Sequence, residues 1–238
     1  MSKSDVQAYY QQAEQSGSSY LHRRFTSPGG KLVSELELKP FRQWIQLDKG
    51  HRMLDVGSGT GRVISTLCPD VRNQVTALDS SEPMLAHLHE QYPEVNTRLA
   101  DLFTYEPNGL FDVVTALRVL DHFSLEEQQA MLMRWKAVLK PGGRIIVGVV
   151  VRPSLESLAN RVLPYRGMTY FHSRRAYAQM FHRCELQVTR RHAVFLFLRG
   201  IYYRLPETLA HTLLVLDVAM GRVMPRLCSS MTCELTPG

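Results

Sequence analysis

The stretch LDVGSGTGR, residues 54–62, places three glycines at alternate positions directly behind an aspartate. A β-rich run that opens through Gly57, Gly59 and Gly61 lets the backbone approach a ligand where side chains would clash. The pattern therefore predicts a strand, a ligand-binding glycine loop and a helix that starts near Arg62.

The spacing of the glycines distinguishes between the nucleotide ligands that such a loop could bind. A dinucleotide fingerprint needs its third glycine at position 62, where the chain has Arg62, and the P-loop pattern G-x-x-x-x-G-K-[ST] is absent. Asp55, at the carboxyl end of the first strand, would repel a pyrophosphate and attract a positively charged ligand. S-adenosylmethionine carries an ammonium and a sulfonium but no phosphate, so the stretch favours this ligand over NAD or ATP.

Between residues 50 and 151, short β-rich runs alternate with longer helical ones, a pattern typical of a parallel sheet flanked by helices. A further helix, strand, helix and strand follow and continue the same sheet. The predicted strands of the first part are His51–Val56, Gln74–Leu78, Asn96–Ala100, Phe111–Leu117 and Arg144–Val151.

The motifs resemble those of the class I S-adenosylmethionine-dependent methyltransferases, whose first motif is an acidic residue followed by G-x-G-x-G. The resemblance covers residues 54–151, and the C-terminal third is similar to small-molecule methyltransferases of the ubiquinone-biosynthesis-like group. It implies an α/β fold with a Rossmann-like, mostly parallel seven-stranded sheet, an antiparallel last strand and helices on both faces. It also implies S-adenosylmethionine as cofactor and a small-molecule methyl acceptor: an amphiphilic, quinone-like or natural-product oxygen or nitrogen nucleophile.

By the same resemblance, Asp79 would accept hydrogen bonds from the ribose hydroxyls. Asp101 would accept one from the adenine amino group, and the Leu102 amide would face a ring nitrogen. Asp79 as a helix N-cap and Asp101 as a turn residue are the plainer alternatives. The full set of implied cofactor-binding residues is Asp55, Gly57, Ser58, Gly59, Gly61, Asp79, Ser80, Met84, Asp101, Leu102, Leu117 and Arg118.

A catalytic base is useful only when the acceptor must lose a proton, and neutral imidazole has a suitable pKa for that task. His122 lies in LRVLDHF, directly after the fourth strand, and is the leading candidate. A purely structural role, in which His122 orients the loop before the helix-capping Ser124, is the alternative.

The chain is predicted to form a single methyltransferase domain over 1–238, with an N-terminal cap over 1–49. The cofactor-binding half is assigned to 50–151 and the substrate-side half to 152–238. The cap contains Arg23 and Arg24, candidate partners of the methionine carboxylate, and a helix interrupted at Pro40. Residues 152–172 fit neither the helix nor the strand pattern and are interpreted as a substrate-covering insertion.

Basic charge is concentrated at the C-terminal end, where residues 152–238 hold twelve arginines against five acidic residues. Arginines beside apolar segments are compatible with an amphiphilic substrate, a peripheral membrane contact or an acidic carrier protein. The alternative is an ordinary buried helix that packs on the sheet through Leu209, Leu213, Leu216 and Met220.

Other function classes are less compatible with the sequence. The absence of a signal sequence and of a membrane-spanning run predicts a cytoplasmic protein, at most peripheral to a membrane. The four scattered cysteines predict neither a disulfide framework nor a metal site. No nucleic-acid partner is expected, so RNA or protein methylation ranks below small-molecule methylation. The rival from another class is a catalytically silent S-adenosylmethionine-binding partner or regulatory subunit.

Overall fold

A computed structural model describes residues 27–152, 154, 170–195, 199–202 and 205–238. Across these ranges eight strands form one sheet, in the order β3-β2-β1-β4-β5-β8-β7, with β6 beside the end of β5. The strands are β1 (Met53–Val56), β2 (Val75–Asp79), β3 (Asn96–Leu99), β4 (Phe111–Leu117), β5 (Leu139–Arg152), β6 (His172–Ser173), β7 (Leu186–Val194) and β8 (Ser230–Pro237).

The direction of the strands confirms the predicted sheet. Strands β1 to β5 run parallel, whereas β8 is antiparallel to both β5 and β7. The two-residue β6, parallel to the end of β5, is an addition to the seven predicted strands. Because the parallel strands share one carboxyl edge, the loops that follow β1, β2 and β4 meet there.

Helices cover both faces of the sheet, as predicted. Leu54 and Val114 share one hydrophobic cluster with Trp135, whereas Met53 and Val113 share another with residues of the N-terminal helix. This alternation buries both sides of each central strand. The described helices are α1 (Pro28–Trp44), α2 (Glu82–Gln91), α3 (Leu125–Ala137), α4 (Arg174–Arg183), α5 (Arg199–Tyr202) and α6 (Glu207–Val223).

Side-chain caps fix where the helices next to the glycine loop begin. Ser81 caps α2 by accepting a hydrogen bond from the Met84 amide. Ser124 and Glu127 form the predicted capping box at α3, with N···O distances of 2.9 and 3.3 Å.

The prediction of an α-helix after the glycine loop is wrong. This segment forms only two short 3₁₀ helices, Ile64–Thr66 and Pro69–Gln74. The Ser65 hydroxyl donates to the Arg62 carbonyl at 2.6 Å, and the Thr66 hydroxyl donates to the Val63 carbonyl at 2.7 Å. These side chains compete with helical amides for the same acceptors.

The expected interruption at Pro40 is also wrong, because α1 continues through it to Trp44. The missing backbone hydrogen bond costs about 3 kcal/mol. Leu38 and Phe41 on either side of the proline are buried in the core, and their burial offsets this cost.

Helix α6 packs on α1 and β7 through a narrow strip, Ala210, Asp217 and Gly221. The alternative prediction, an ordinary buried helix that packs on the sheet, is wrong for three of its four apolar positions. Leu209 is 56% exposed, Leu216 51% and Met220 37%, and Leu213 alone is partly buried.

Candidate active site

The glycine loop after β1 needs glycine at two positions for different reasons. Gly57 has φ +61°, and a Cβ on it would lie 2.4 Å from Val119 Cγ2. Gly59 has φ +53°, but no atom of the described protein lies within 4 Å of its Cβ position. Gly57 therefore allows two loops to touch, whereas Gly59 leaves its side of the loop open to a ligand.

Hydrogen bonds hold the glycine loop against the end of β2. The Ser58 amide donates to the Leu78 carbonyl at 3.1 Å, and the Gly59 amide donates to Asp79 Oδ2 at 2.8 Å. The two acidic positions predicted at the ends of β1 and β2 thus flank one loop.

Asp55 is buried in β1 with half of its carboxylate unused. Oδ1 accepts a hydrogen bond from the Thr115 hydroxyl at 2.6 Å, whereas Oδ2 has no hydrogen-bond partner among the described residues. Burial raises the pKa of Asp55 to about 7, Thr115 opposes this rise, and the charge of Asp79 adds to it. The site therefore holds a carboxyl group that a neighbouring cation would ionise.

Replacement of Asp55 by asparagine should flatten the pH dependence of stability. With a folded pKa near 7 and an unfolded value of 3.8, Asp55 contributes stability that is fully present below pH 3.8 and lost through pH 7. We expect the free energy of unfolding of the wild type to fall by roughly 2–4 kcal/mol relative to Asp55→Asn between pH 4 and 8. Urea unfolding at both pH values measures the difference, and parallel behaviour of the two proteins would contradict the assignment.

Asp79 organises the turn after β2. Besides the Gly59 amide, it accepts hydrogen bonds from the Ser80 and Ser81 amides, the latter at 3.0 Å. Burial nevertheless raises the pKa of Asp79, and these hydrogen bonds oppose the rise. Ser81, not Asp79, is the side-chain cap of α2. A carboxylate has about four lone-pair sites, so Asp79 retains capacity for a ligand hydroxyl.

Asp101 follows β3 and is exposed. Its Oδ1 accepts a hydrogen bond from the Phe103 amide at 2.7 Å, as in an ordinary turn. Leu102 beside it is partly buried against the core. The adenine-binding roles of Asp101 and Leu102 stay predictions.

The loop after β4 begins with a strained residue. Arg118 has φ +65°, and its amide donates to the Gly148 carbonyl at 2.9 Å. Its guanidinium lies 3.0 Å from Asp121 Oδ2, and Asp121 Oδ1 accepts a hydrogen bond from the Val150 amide at 2.8 Å. A left-handed non-glycine residue held this firmly fixes the direction of the loop.

His122 ends a short 3₁₀ turn, Leu120–His122, and is partly exposed. Its amide donates to the Val119 carbonyl at 3.2 Å. Its role as a base stays a prediction.

The predicted cofactor residues thus gather at one sheet edge and in the loops that follow it. Parallel register places Asp55 beside Ala77 and Thr115 on the neighbouring strands. Met84 is buried at the start of α2 and Ser80 is partly exposed in the turn before it. Arg23, Arg24 and most of the 152–172 segment lie outside the described residues.

Comparison with known proteins agrees with this arrangement. The methyltransferase-domain family matches residues 53–143. A SAM-dependent methyltransferase from Thermotoga maritima has the same fold, with a TM-score of 0.65, 15% identity and coverage of 91% of this chain and 94% of that one. Magnesium protoporphyrin IX methyltransferase from Synechocystis, solved with bound SAH, gives a TM-score of 0.61 at 16% identity, covering 89% and 86%. Residues 53–143 therefore match the methyltransferase-domain family, and the chain shares the fold of these S-adenosylmethionine-dependent methyltransferases.

Relatives of the chain include two enzymes that are named for ubiquinone biosynthesis. Ubiquinone biosynthesis O-methyltransferase of Coxiella burnetii is 29% identical over 144 residues, which cover 56% of this chain and 60% of the relative. The enzyme of the same name from Bradyrhizobium is 28% identical over 163 residues, 59% and 62% of the two chains. The chain thus spans about three fifths of the length of the relatives it matches.

The burial of several polar side chains together beside the loop after β4 was not predicted from the sequence, in which nothing local fixes the direction of His172. Asp121 stands shortly before α3 in the sequence, but its side chain is fully buried and joins the loop to β5. His172 and Tyr177 approach it from β6 and α4. No local pattern marks His172 and Tyr177, because about fifty positions separate them from the loop in the sequence.

Proposed function

We propose that the chain transfers a methyl group from S-adenosylmethionine to the hydroxyl of an amphiphilic small molecule. The proposal of this cofactor rests on Asp55 Oδ2. This atom is buried beside the glycine loop and has no hydrogen-bond partner in the described ranges. An unpaired buried carboxylate is costly alone and favourable next to a cation.

The residues present fit this cofactor. Asp79 would hold the ribose, Asp101 and Leu102 the adenine, and the backbone of Leu117 and Arg118 would flank the ligand. When bound, the cofactor supplies a methyl group activated by the sulfonium charge. The chain's own task is then to align the acceptor, exclude water and accept the acceptor's proton.

The choice of a hydroxyl acceptor is supported by the two ubiquinone-biosynthesis O-methyltransferases among the relatives. Their name indicates a quinone-like oxygen nucleophile. His122 is the sequence-based candidate for the base that such an acceptor needs. A silent cofactor-binding subunit is the alternative, and RNA or protein methylation is a third.

A labelled-methyl experiment tests the proposal. Purified chain is incubated with methyl-labelled S-adenosylmethionine and with extract fractionated into lipid, small-molecule, protein and RNA pools. We expect label on an oxygen in the lipid or small-molecule pool. Tight cofactor binding with no label in any pool would support the silent subunit, and label confined to RNA or protein would contradict the proposed acceptor.

The exposed side of α6 supports an amphiphilic acceptor reached at a membrane surface. Leu209, Leu216, Met220 and Val223 are exposed and recur at spacings that place them along one stripe of the helix. The exposed Arg222 in the last turn of α6 and the exposed Arg226 just beyond the helix would add attraction to anionic headgroups, although Arg222 lies off the stripe. No helix among the described residues is long and apolar enough to cross a bilayer.

Sedimentation with phosphatidylglycerol vesicles checks this contact. Leu216→Glu should weaken vesicle binding roughly tenfold or more, because burial of one leucine is worth about 1.5–3 kcal/mol. His211→Glu is the matched control, since His211 is exposed on the same helix about half a turn from the stripe. Equal loss in both variants would indicate a charge effect, and wild-type protein that stays in the supernatant would contradict the membrane contact.

A further inference from the structure

Five buried or half-buried polar side chains gather beside the loop after β4, and not all of their polar atoms have a hydrogen-bond partner. Buried polar groups without partners cost about 1–3 kcal/mol each, so such a concentration needs an explanation. Within the part of the chain that the structure describes, Arg118 Nε and His172 Nε2 have no hydrogen-bond partner, Asp121 Oδ2 has only its ion pair with Arg118, and Tyr177 and Gln128 interact through their side chains.

The loop after β4, residues 119–123, contacts both the glycine loop and this polar cluster. On one side Val119 fills the space that Gly57 leaves empty. On the other side the Asp121 carbonyl accepts a hydrogen bond from the Tyr170 amide at 2.7 Å, and His172 donates a hydrogen bond to the Phe123 carbonyl. The cluster therefore lies at the same carboxyl edge of the sheet as the predicted cofactor residues, on the β5 side.

His172 is held in one orientation within the cluster. Its ring stacks on Tyr170, with centroids 6.1 Å apart, and meets the Tyr177 ring edge-on at 5.9 Å. It donates a hydrogen bond to the Phe123 carbonyl, and because Nε2 has no partner in the described structure, the donor is Nδ1. The tautomer with a free lone pair on Nε2 is thereby fixed.

The surroundings of His172 keep the imidazole neutral. Burial lowers the pKa of His172 below 6.5, and the charge of Arg152 acts in the same direction. The Phe123 hydrogen bond and the charges of Asp121 and Glu126 oppose this shift, and the ion pair with Arg118 offsets part of the Asp121 charge. A neutral imidazole can accept a proton, and Asp121 would then stabilise the imidazolium.

We propose that Nε2 of His172 accepts the proton of the acceptor hydroxyl. This inference rests on the proposed function and names the group that moves the proton. As the O–H bond breaks, the proton goes to Nε2 and the oxygen electron pair forms the new bond to the methyl carbon. The carbon–sulfur electron pair stays on sulfur, and the imidazolium later releases its proton to water.

The variant His172→Asn isolates the lone pair on Nε2. The asparagine amide can still donate to the Phe123 carbonyl near the place of Nδ1, but it carries no basic nitrogen. With catechol as the acceptor probe, we expect kcat to fall roughly a hundredfold or more while SAH affinity, measured by calorimetry, stays unchanged. His182→Asn, at an exposed histidine of α4, is the control and should keep the wild-type rate.

Two further readouts separate proton transfer from a merely structural role. The acid limb of the wild-type pH–rate profile should follow the ionisation of His172 and vanish in His172→Asn, whose residual rate should rise with catechol ionisation. In ¹⁵N-histidine NMR of the SAH complex, His172 should show the Nδ1–H tautomer and titrate below pH 6.5.

The outcomes distinguish this inference from the proposed function. Failure of the wild type to bind SAH would contradict the proposed function. SAH binding with methyl transfer to catechol at equal rates in the wild type and His172→Asn, or loss of the acid limb only in His122→Asn, would overturn the role of His172. An Nε2–H tautomer, a product methylated on nitrogen or carboxylate, or a wild type that binds SAH but methylates no hydroxyl would overturn it as well.

Discussion

Gly57→Ala is expected to destabilise the protein by about 2–5 kcal/mol and to abolish measurable cofactor binding. A left-handed alanine costs about 1–2 kcal/mol, and forcing a methyl group to 2.4 Å from Val119 Cγ2 adds about 1–3 kcal/mol. For a chain of this size, the loss corresponds to a fall in Tm of roughly 5–15 °C. The clash also pushes apart the two loops between which the cofactor is proposed to bind.

Thermal unfolding of two companion variants isolates the clash. Gly50→Ala shares the positive φ, +90°, but no atom of the described protein lies within 4 Å of its Cβ position, so it should show the backbone cost alone. Adding Val119→Ala to Gly57→Ala removes the obstructing methyl groups and should restore part of the stability and the binding. Equal losses in Gly50→Ala and Gly57→Ala would contradict the contact between the loops.

Asp79→Asn is expected to weaken S-adenosylmethionine binding by roughly fivefold to 150-fold. The substitution removes the charge that strengthens hydrogen bonds from ribose hydroxyls and from the Gly59 amide, worth about 1–3 kcal/mol. It also places an amide donor against backbone donors, which loosens the glycine loop. Calorimetric titration measures the change.

Asp112→Asn provides the matched control for Asp79. Asp112 likewise accepts a backbone amide, from Arg52 at 2.7 Å, but it lies at the opposite, amino end of β4. This control should alter stability without altering cofactor affinity. Unchanged affinity in Asp79→Asn, or equal losses in both variants, would refute the ribose role.

The parts of the fold that depend on local patterns could be predicted from the sequence. The β-rich run Phe111–Leu117 has the predicted bounds because both of its faces are buried, and the capping box at Ser124 forms because its two partners lie three residues apart. The glycine loop was recognisable because Asp55 and its three glycines lie close together, at alternate positions of the chain.

Features that depend on contacts between distant segments could not be predicted. Helix α1 continues through Pro40 because Leu38 and Phe41 are buried. Helix propensity carries no information about that burial. The choice of the catalytic base also depends on contacts between distant segments. His122 stands next to a recognisable motif, whereas the orientation of His172 depends on Phe123 and Tyr170 and appears only once β6 pairs with β5.

The ligand preference of the site formed by Asp55 and the glycine loop is the most direct test of the proposed cofactor. S-adenosylmethionine and NAD are titrated in turn into the purified chain by calorimetry at pH 7.5. We expect saturable one-to-one binding of S-adenosylmethionine and no saturable heat with NAD, because a buried carboxylate attracts a sulfonium and repels a pyrophosphate. Saturable binding of NAD with none of S-adenosylmethionine would contradict the proposed cofactor.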